Sequence, residues 1–476
     1  MKLINNSPTH APLWASIAPI LILLFSLICI IILKGATAVY DLSSYVLLGS
    51  SFIALILSYV TGSFTIRGIK CGMARSASQI LPAVPMLIFI ALTATTWMLS
   101  GVVPTLIYYG LEWLSPTMFL MTACGVCAIV SVLTGSSWST IATIGVAFMG
   151  VGSVLGFSEG WIAGAIISGA YFGDKISPLS DTTVVASSAC GVDLFKHIRY
   201  LMLTSMPAII ISLIVFGIVG FVNGEGEISS GNEIESALQT YFNITPLTLI
   251  IPALTLMLIA LRVPTMITLA GASILGFAGI FIFQKNEHYE LANALDALWS
   301  GSVSSTGNEV FDSLISTGGI IGMLPTIFLV LSAMIFGCVM IGTGMLSVVT
   351  NAFTKSLQNC RSIVGATVAS GLFMNSCTAD QYLSLIITGN MFRNVYRRCS
   401  LEPRLLSRTI EDSVSVTSVL IPWNSCGITQ STVLGVATLT YLPYCIFNIL
   451  SPCMSLLLAY TGFKIKIRHT MVPYSR

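Results

Sequence analysis

The stretch 168–183, SGAYFGDKISPLSDTT, places groups that could hold a cation or a proton inside an otherwise apolar segment. Asp174, Lys175 and Asp181 fall within eight positions of one another. A carboxylate holds either a proton or Na⁺, and hydroxyl oxygens are suitable further ligands for a hard cation. Nearby hydroxyls are predicted as second-tier ligands, which would assist the carboxylates in binding a cation or substrate. They belong to Ser177, Ser180, Thr182 and Thr183.

A second group of acids lies in the other half of the chain, and it consists of Asp380, Glu411 and Asp412. Acids at membrane depth are costly unless they are paired or hydrated, so a functional role is the default hypothesis. Mutually exclusive binding of a proton and Na⁺ at one carboxylate is the minimal chemistry of an antiporter. We therefore expect these three acids, with Asp174 and Asp181, to bind the ions and Lys175 to compensate their charge. The second-tier ligands expected here are Asn375, Ser376, Asn424 and Ser425.

The acids of the first group also have structural alternatives. Asp174 and Lys175 could form an ion pair or a helix cap at an interruption. Asp181 could cap the half-helix that follows it, and capping does not exclude ion binding.

The acids of the second group have alternatives as well. Glu411 and Asp412 could lie at a cytoplasmic mouth and balance Arg404 and Arg408. Asp380 could be structural.

The composition indicates the environment of these groups. Of 476 residues, 55% are apolar and only 8% are charged, with a mean hydropathy of +0.90. Soluble domains carry about 25% charged residues, so we expect an all-α polytopic membrane protein. The first apolar segment lacks a basic leader and a small-residue cleavage pattern, which predicts a retained helix. The predicted spans are 14–33, 42–61, 80–99, 200–222, 246–261, 264–283, 318–343 and 438–460.

The distribution of basic residues predicts how the chain crosses the cell membrane. With both termini in the cytoplasm, all 21 basic residues except Lys34, Lys175 and Lys285 lie in inside loops or tails. The acidic loop 223–245 is then external. This asymmetry is typical of topogenic charge, so the basic loops are not expected to bind nucleic acid.

Two parts of the chain share a layout that differs from a plain spanning helix. A first hairpin at about 117–157 has a polar tip and precedes a first broken helix at about 161–190. A second hairpin at about 362–392 precedes a second broken helix at about 405–436. Pro178 and Pro422 interrupt the two broken helices, because proline lacks an amide donor and displaces the residue before it from helical geometry.

An odd number of membrane crossings precedes the first hairpin, and an even number precedes the second. The hairpins therefore enter from opposite sides, which predicts an inverted-topology repeat of 1–222 and 246–476 with two re-entrant hairpins and two discontinuous helices. Such repeats build a binding site near the middle of the bilayer.

Several strings of this chain resemble the Na⁺/H⁺ antiporter family of the NhaC type. They are SGAYFGDKISPLSDTT, CGVDLFKHIRYL (190–201), ADQYLSLIITGNMF (379–392) and LSRTIEDSVSVTSVLIPWNSCG (406–427). The resemblance implies a secondary transporter that exchanges Na⁺ for H⁺, without a cofactor, and often as a dimer. Because the family also includes carriers that resemble malate/lactate exchangers, a coupled exchanger of small organic anions is the alternative.

Other functions have weaker support. An ion channel would share the broken helices, but inverted hairpins suit alternating access better. An intramembrane aspartyl protease needs glycine where Tyr171 stands, so we do not expect an enzyme. Cys124 and Cys127 form a single C-x-x-C without a second pair, and no metal other than Na⁺ is expected. The four histidines fall in predicted loops or tails, which argues against a histidine proton relay.

Overall fold

A computed structural model describes residues 11–35, 38–80, 83–223, 236–261, 263–284, 290–302, 312, 315–354 and 359–463. These residues form helices joined by short turns, and their one β-type contact is an isolated bridge between Ser302 and Thr317. The prediction of an all-α polytopic membrane protein is confirmed. Seven helices in this part of the chain are long and apolar enough to cross a membrane, or up to nine if each of two bent pairs is one span.

The helices before the acidic loop include both arms of the first hairpin and both pieces of the first broken helix. Their bounds are Leu13–Lys34, Ala38–Val60, Ile66–Ile80, Ala83–Leu99, Val102–Trp113, Phe119–Thr134, Ser137–Val154, Glu159–Ile176, Asp181–Cys190 and Leu194–Asn223.

The helices after the loop include the second hairpin and the second broken helix. Their bounds are Ile250–Ala260, Thr265–Phe283, Leu291–Ser300, Gly319–Gly322, Leu324–Gly342, Met345–Thr354, Cys360–Thr378, Gln381–Arg398, Pro403–Ile410, Ser425–Leu434, Thr438–Tyr441 and Ile446–Thr461. A π-helical turn, Glu411–Ser415, continues the helix Pro403–Ile410, and a 3₁₀ turn, Ser418–Leu420, precedes the break.

Large apolar side chains cover the outside of the molecule. Phe25 is 69% exposed, Leu33 81% and Val222 74%. Such a surface is unfavourable in water and suits contact with lipid, where helices satisfy their own backbone hydrogen bonds.

Three predicted segments differ from the structure. The basic segment read as a loop after the second span contains the helix Ile66–Ile80, whose Gly68 and Gly72 pack closely on the backbone of Leu324–Gly342. The span predicted at 80–99 continues, after a 66° bend, into Val102–Trp113. Glycine at the first site and the left-handed Gly101 at the second allow these close or bent arrangements. The span predicted at 438–460 is bent by 57° between Thr438–Tyr444 and Ile446–Thr461.

The arms of the first hairpin meet at Gly135 and Ser136. The Ser136 hydroxyl accepts from the backbone amide of Ser139 and caps the second arm. Each arm, with its flanking turn, is long and apolar enough to span a membrane. The re-entrant character of the hairpins therefore stays a prediction.

Backbone features of the first hairpin and broken helix recur in the second set at one constant spacing along the chain. The left-handed residues Gly135, Gly156 and Gly191 correspond to Ala379, Ser400 and Gly435. The caps Ser136 and Ser180 correspond to Asp380 and Asn424, and Pro178 corresponds to Pro422. This common register supports an internal repeat, while its inversion in the membrane stays a prediction.

The half-helix after each break packs against the opposite hairpin. Asp181–Cys190 contacts Gln381–Arg398, and Ser425–Leu434 contacts the π-helical turn Ile141–Gly145 in the second arm of the first hairpin. The two breaks are thereby brought to the centre of the molecule.

Gly135 offers a test of the contact between the first hairpin and the first break. Its φ is +69°, and a Cβ atom there would lie 2.6 Å from the carbonyl carbon of Leu179. Gly135→Ala should therefore cost about 1–2 kcal/mol for the left-handed backbone and about 1–3 kcal/mol more for overpacking. The free energy of unfolding in detergent measures this loss.

Gly435→Ala is the matched control. Gly435 has a φ of +70°, but nothing lies within 4 Å of the added Cβ. We expect only the backbone cost at this position. Equal losses of stability for the two variants would contradict a close contact between the hairpin tip and the break.

Candidate ion-binding site

A small cavity lies where the two broken helices approach each other. Its size is about that of one water molecule. Both repeats contribute to its wall, which consists of Tyr171, Asp174, Lys175, Thr182, Gln381, Glu411, Ser415 and Val416. Two carboxylates and one ammonium group therefore surround a space that a small cation fits.

Asp174 lies in the last turn of Glu159–Ile176 and is 8% exposed. Its Oδ2 atom accepts from the Ser137 hydroxyl at 2.7 Å and from the Ser137 amide at 3.3 Å. Ser137 is the first residue of the second arm of the first hairpin, so the hairpin tip orients this carboxylate. A carboxylate that accepts two hydrogen bonds keeps lone pairs for a cation.

Glu411 is fully buried, and neither of its carboxylate oxygens has a hydrogen-bond partner among the described residues. It begins the π-helical turn Glu411–Ser415. A π-turn shifts the residues that follow relative to a regular helix, and such turns are frequent at functional sites. Both side chains have no exposed surface, which argues against an open cytoplasmic mouth, whereas Asp412 does lie 3.9 Å from Arg408, one of the two arginines that the alternative named.

Lys175 forms a buried ion pair with Asp412, although Asp174 is its neighbour in sequence. Its ammonium also donates to the Ser451 hydroxyl at 2.7 Å. The alternative of an ion pair between Asp174 and Lys175 is therefore wrong in this structure. The ion pair instead links the first broken helix to the second.

Asp412 accepts several hydrogen bonds besides that from Lys175. Ser451 and Thr204 donate to Oδ1 at 2.9 and 3.1 Å, and Ser455 donates to Oδ2 at 2.5 Å. These four donors occupy most of the acceptor capacity of Asp412, so it is a structural partner of Lys175 with little capacity left for a transported cation.

The structure places Asp181 and Asp380 away from the cavity wall. Asp181 is exposed at the start of its half-helix, and Ser180 caps that helix. The alternative that Asp181 is the cap is therefore wrong. Asp380 is buried and caps Gln381–Arg398 by accepting from the Leu383 amide at 2.8 Å. Ion binding by these two acids stays a prediction.

The second-tier candidates of the first break form hydrogen bonds around it, and one of them lines the cavity. Ser177 donates to the Val132 carbonyl at 2.7 Å, and Thr183 donates to the Lys175 carbonyl at 3.1 Å. Ser180 and Thr182 share a hydrogen bond of 3.0 Å, and Thr182 lies in the cavity wall. Thr182 is therefore the one of the four nearest to a cation in the cavity.

The second-tier candidates of the second break join it to the second hairpin. Asn424 donates to the Asn375 carbonyl at 3.0 Å, and Asn375 donates to the Val414 carbonyl at 2.7 Å. Ser425 donates to Asp380 at 3.4 Å, while the Ser376 carbonyl accepts from the Trp423 indole. These contacts fix the hairpin tip against the break.

Sequence reasoning did not find several polar residues around the site. Gln381 follows Asp380 directly, and its place in the polar stretch 374–381 at the hairpin tip could have identified it. Ser451 and Ser455 lie four positions apart inside a predicted span, a spacing that places both on one helix face. The other missed residues are Ser137, Thr204, Tyr171 and Ser415.

No group of three or more His, Cys, Asp or Glu side chains in the described part of the chain could hold a metal ion. The prediction that all histidines lie in loops or tails is wrong for His197. This residue is fully buried in Leu194–Asn223, and its Nδ1 atom lies 2.8 Å from the Ser407 hydroxyl. The other three, His10, His288 and His469, lie outside the described residues.

Curated relatives match this chain over most of its length. An Na⁺/H⁺ antiporter, NhaC, of Alkalihalophilus pseudofirmus is 37% identical over 80% of this chain and 82% of its own. A malate-2H⁺/Na⁺-lactate antiporter of Bacillus subtilis is 35% identical over 87% and 88%. An arginine/ornithine antiporter, ArcD, of Halobacterium salinarum is 33% identical over 90% and 88%.

The family model described as the Na⁺/H⁺ antiporter family matches residues 3–202 and 169–463. Together these two matches include both hairpins, both broken helices and every residue of the cavity wall. The chain belongs to the Na⁺/H⁺ antiporter family.

Proposed function

We propose that this protein exchanges Na⁺ for H⁺ across a membrane and that the two ions share one site formed by Asp174 and Glu411. Family membership and the NhaC relatives support the ions. The cavity between the two broken helices supports the location.

The observation that carries the proposal is Glu411. A fully buried carboxylate without a hydrogen-bond partner in the described structure is very costly if it is ionised and alone. It therefore needs a proton or a nearby positive charge, which a bound cation or the Lys175 ammonium of the same cavity wall would supply. Asp174, on the same cavity, supplies a second carboxylate that the Ser137 hydrogen bonds orient. Proton and Na⁺ then exclude each other at one place.

The buried charges explain why exchange would be coupled. Around the cavity and the Lys175–Asp412 pair, Asp174, Glu411 and Asp412 are acidic, whereas Lys175 and Arg408 are basic, and all five are buried. Asp380 is a further buried acid, but it caps a helix outside the cavity wall. With the five groups ionised, the acids exceed the bases by one charge, which a single Na⁺ or H⁺ neutralises. Without a bound ion the site keeps its net negative charge. This charge disfavours the conformational change that would expose the empty site to the other side of the membrane.

Exchange of organic solutes is the second candidate function. The relatives named for malate and lactate and for arginine and ornithine favour it. The cavity of about one water molecule favours an ion over such solutes in this conformation. Transport of malate, lactate, arginine and ornithine in proteoliposomes, with and without Na⁺, separates the two functions.

The proposal extends to the arrangement in the cell membrane. We expect multi-pass insertion with both termini in the cytoplasm, an external loop at 223–245 and a possible homodimer. The protein moves ions and does not make or break covalent bonds. Lys175 compensates charge, and Asp181 attracts cations to the site from its exposed position.

Glu411→Gln tests the shared site. The amide keeps the size of the side chain but cannot be deprotonated and has no negative charge. We expect Na⁺-dependent proton flux in proteoliposomes to fall to the level of liposomes without protein, while the amount of folded protein stays the same.

Glu159→Gln is the control for this experiment. Glu159 is exposed in the first turn of Glu159–Ile176, the helix that carries Asp174 near its other end. It should keep parental flux. Parental flux in Glu411→Gln would exclude Glu411 from the site.

Asp181→Asn should have a graded effect, because Asp181 is exposed and outside the cavity wall. Loss of its charge lowers the local concentration of cations, so we expect the KM for Na⁺ to rise about two- to fivefold at low ionic strength with little change in maximal rate. The rise should shrink in the presence of an impermeant salt. Complete loss of exchange would instead make Asp181 a direct ligand.

Reporter fusions test the orientation. A reporter inserted in 223–245 should report an external position, and one inserted in the turn 399–402 of the basic segment 393–404 should report a cytoplasmic position, because basic segments stay inside. A cytoplasmic 223–245 loop would contradict both the orientation and the inverted repeat.

A further inference from the structure

Arg408 is an unusual residue for the interior of a membrane protein. Its side chain has no exposed surface, and none of its three guanidinium nitrogens has a hydrogen-bond partner among the described residues. Its Nε atom lies 3.9 Å from Asp412 Oδ2, which is too far for a hydrogen bond. The guanidinium lies over the ring of Tyr200, 4.7 Å from its centre. A buried cation without hydrogen bonds lowers the stability of the folded state, because its lost hydration is not replaced. Its presence therefore calls for a functional explanation.

The equivalent position in the first repeat needs no charge. By the constant register, Arg408 and Tyr200 correspond to Gly164 and Tyr444. A Cβ atom on Gly164 would lie 2.4 Å from the Tyr444 carbonyl oxygen, so the two helices approach each other too closely here for any residue but glycine. The same helix packing is therefore possible without an arginine, and the fold does not explain Arg408.

Lys175 and Arg408 approach Asp412 from different directions. Lys175 binds Oδ1 and lies in the cavity wall with Glu411, whereas Arg408 faces Oδ2 and is absent from that wall. Only the Lys175 ammonium is thus placed to move between Asp412 and the ion site.

We propose that Arg408 is the second partner of Asp412 and binds its carboxylate when Lys175 leaves it during transport. When the ion leaves the cavity, Lys175 turns toward Glu411 and Asp174, and Arg408 closes the 3.9 Å gap to Oδ2. Asp412 then stays paired in both states. The proposal rests on the ion site described above, and it makes Arg408 a positioning residue that does not touch the ion.

The energetic reason is the cost of an unpaired buried charge. Breaking a buried ion pair by removing one partner is strongly destabilising, because the remaining charge is uncompensated. Without Arg408, each departure of Lys175 would leave Asp412 in that state. The rate of the cycle would fall, while Na⁺ binding to the conformation seen here would not.

Arg408→Gln tests this split between rate and binding. In proteoliposomes containing the full-length protein, we expect the turnover of Na⁺-dependent proton flux to fall at least about 100-fold, with the Kd for ²²Na⁺ within about threefold of the parent. Arg408→Lys keeps the charge without the planar fork, and its turnover should lie about tenfold below the parent.

Arg404→Gln is the matched control. Arg404 lies on the same helix and also lies over Tyr200, at 4.8 Å, but it is partly exposed and pairs with Glu402. Its turnover and Kd should stay within about threefold of the parent. An equal loss of turnover in Arg404→Gln would assign the effect to the tyrosine stack and overturn the proposal.

Two further outcomes would also overturn it. One is parental turnover in Arg408→Gln, and the other is a Kd weakened by the same factor as the turnover, which would make Arg408 part of the ion site. If Arg408→Gln fails to fold, Arg408→Lys decides, because parental turnover or a weakened Kd in that variant contradicts the proposal. Loss of exchange in Glu411→Gln together with parental turnover in Arg408→Gln would leave the ion site intact and reject only the role of Arg408.

Discussion

The burial of charge is the constraint on which this architecture depends. Each buried ion costs several kcal/mol even after the protein relaxes, and a fixed partner recovers much of that cost. The ion pair between Lys175 and Asp412 supplies such a partner across the two broken helices. The hydroxyls of Ser451, Ser455 and Thr204 complete the coordination of Asp412 from two other helices. The packing at the centre of the molecule therefore follows from one carboxylate and the donors that it needs.

The two segments related by the common register share backbone features but not a charge pattern. By their common register, Glu411 and Asp412 correspond to Ile167 and Ser168. In the same register, Asp174 and Lys175 correspond to Ser418 and Val419. Even the contact at the hairpin tip recurs, since Ser137 donates to Asp174 and Ser418 donates to Gln381. Each of these charged residues therefore corresponds to a neutral residue in the other segment. The candidate site takes its charged groups from both segments.

Parts of this arrangement are readable from the sequence because they depend on local chemistry. Composition alone predicts helices in a membrane, and proline explains why helices end at Ile176 and Leu420. The identity of contact partners is different, since Lys175 and Asp412 are 237 positions apart. Asp174 is closer to Lys175 in sequence, yet it faces the hairpin tip. Likewise, no residue pattern in the sequence indicated that Glu411 is fully buried or that a π-helical turn begins there.

The distribution of contacts suggests how ion occupancy is linked to movement. Each hairpin tip is fixed to the break of its own repeat, through Gly135 and Leu179 in the first and through Asn375 and Asn424 in the second. Among the described residues, Lys175–Asp412 is the one ion pair that joins the two broken helices. Relative movement of the two breaks therefore strains this pair before it strains the tips. Because Lys175 also lies in the cavity wall, a cation bound at the proposed site would repel its ammonium toward Asp412, and the strength of the connection between the two broken helices would then depend on whether that site is occupied.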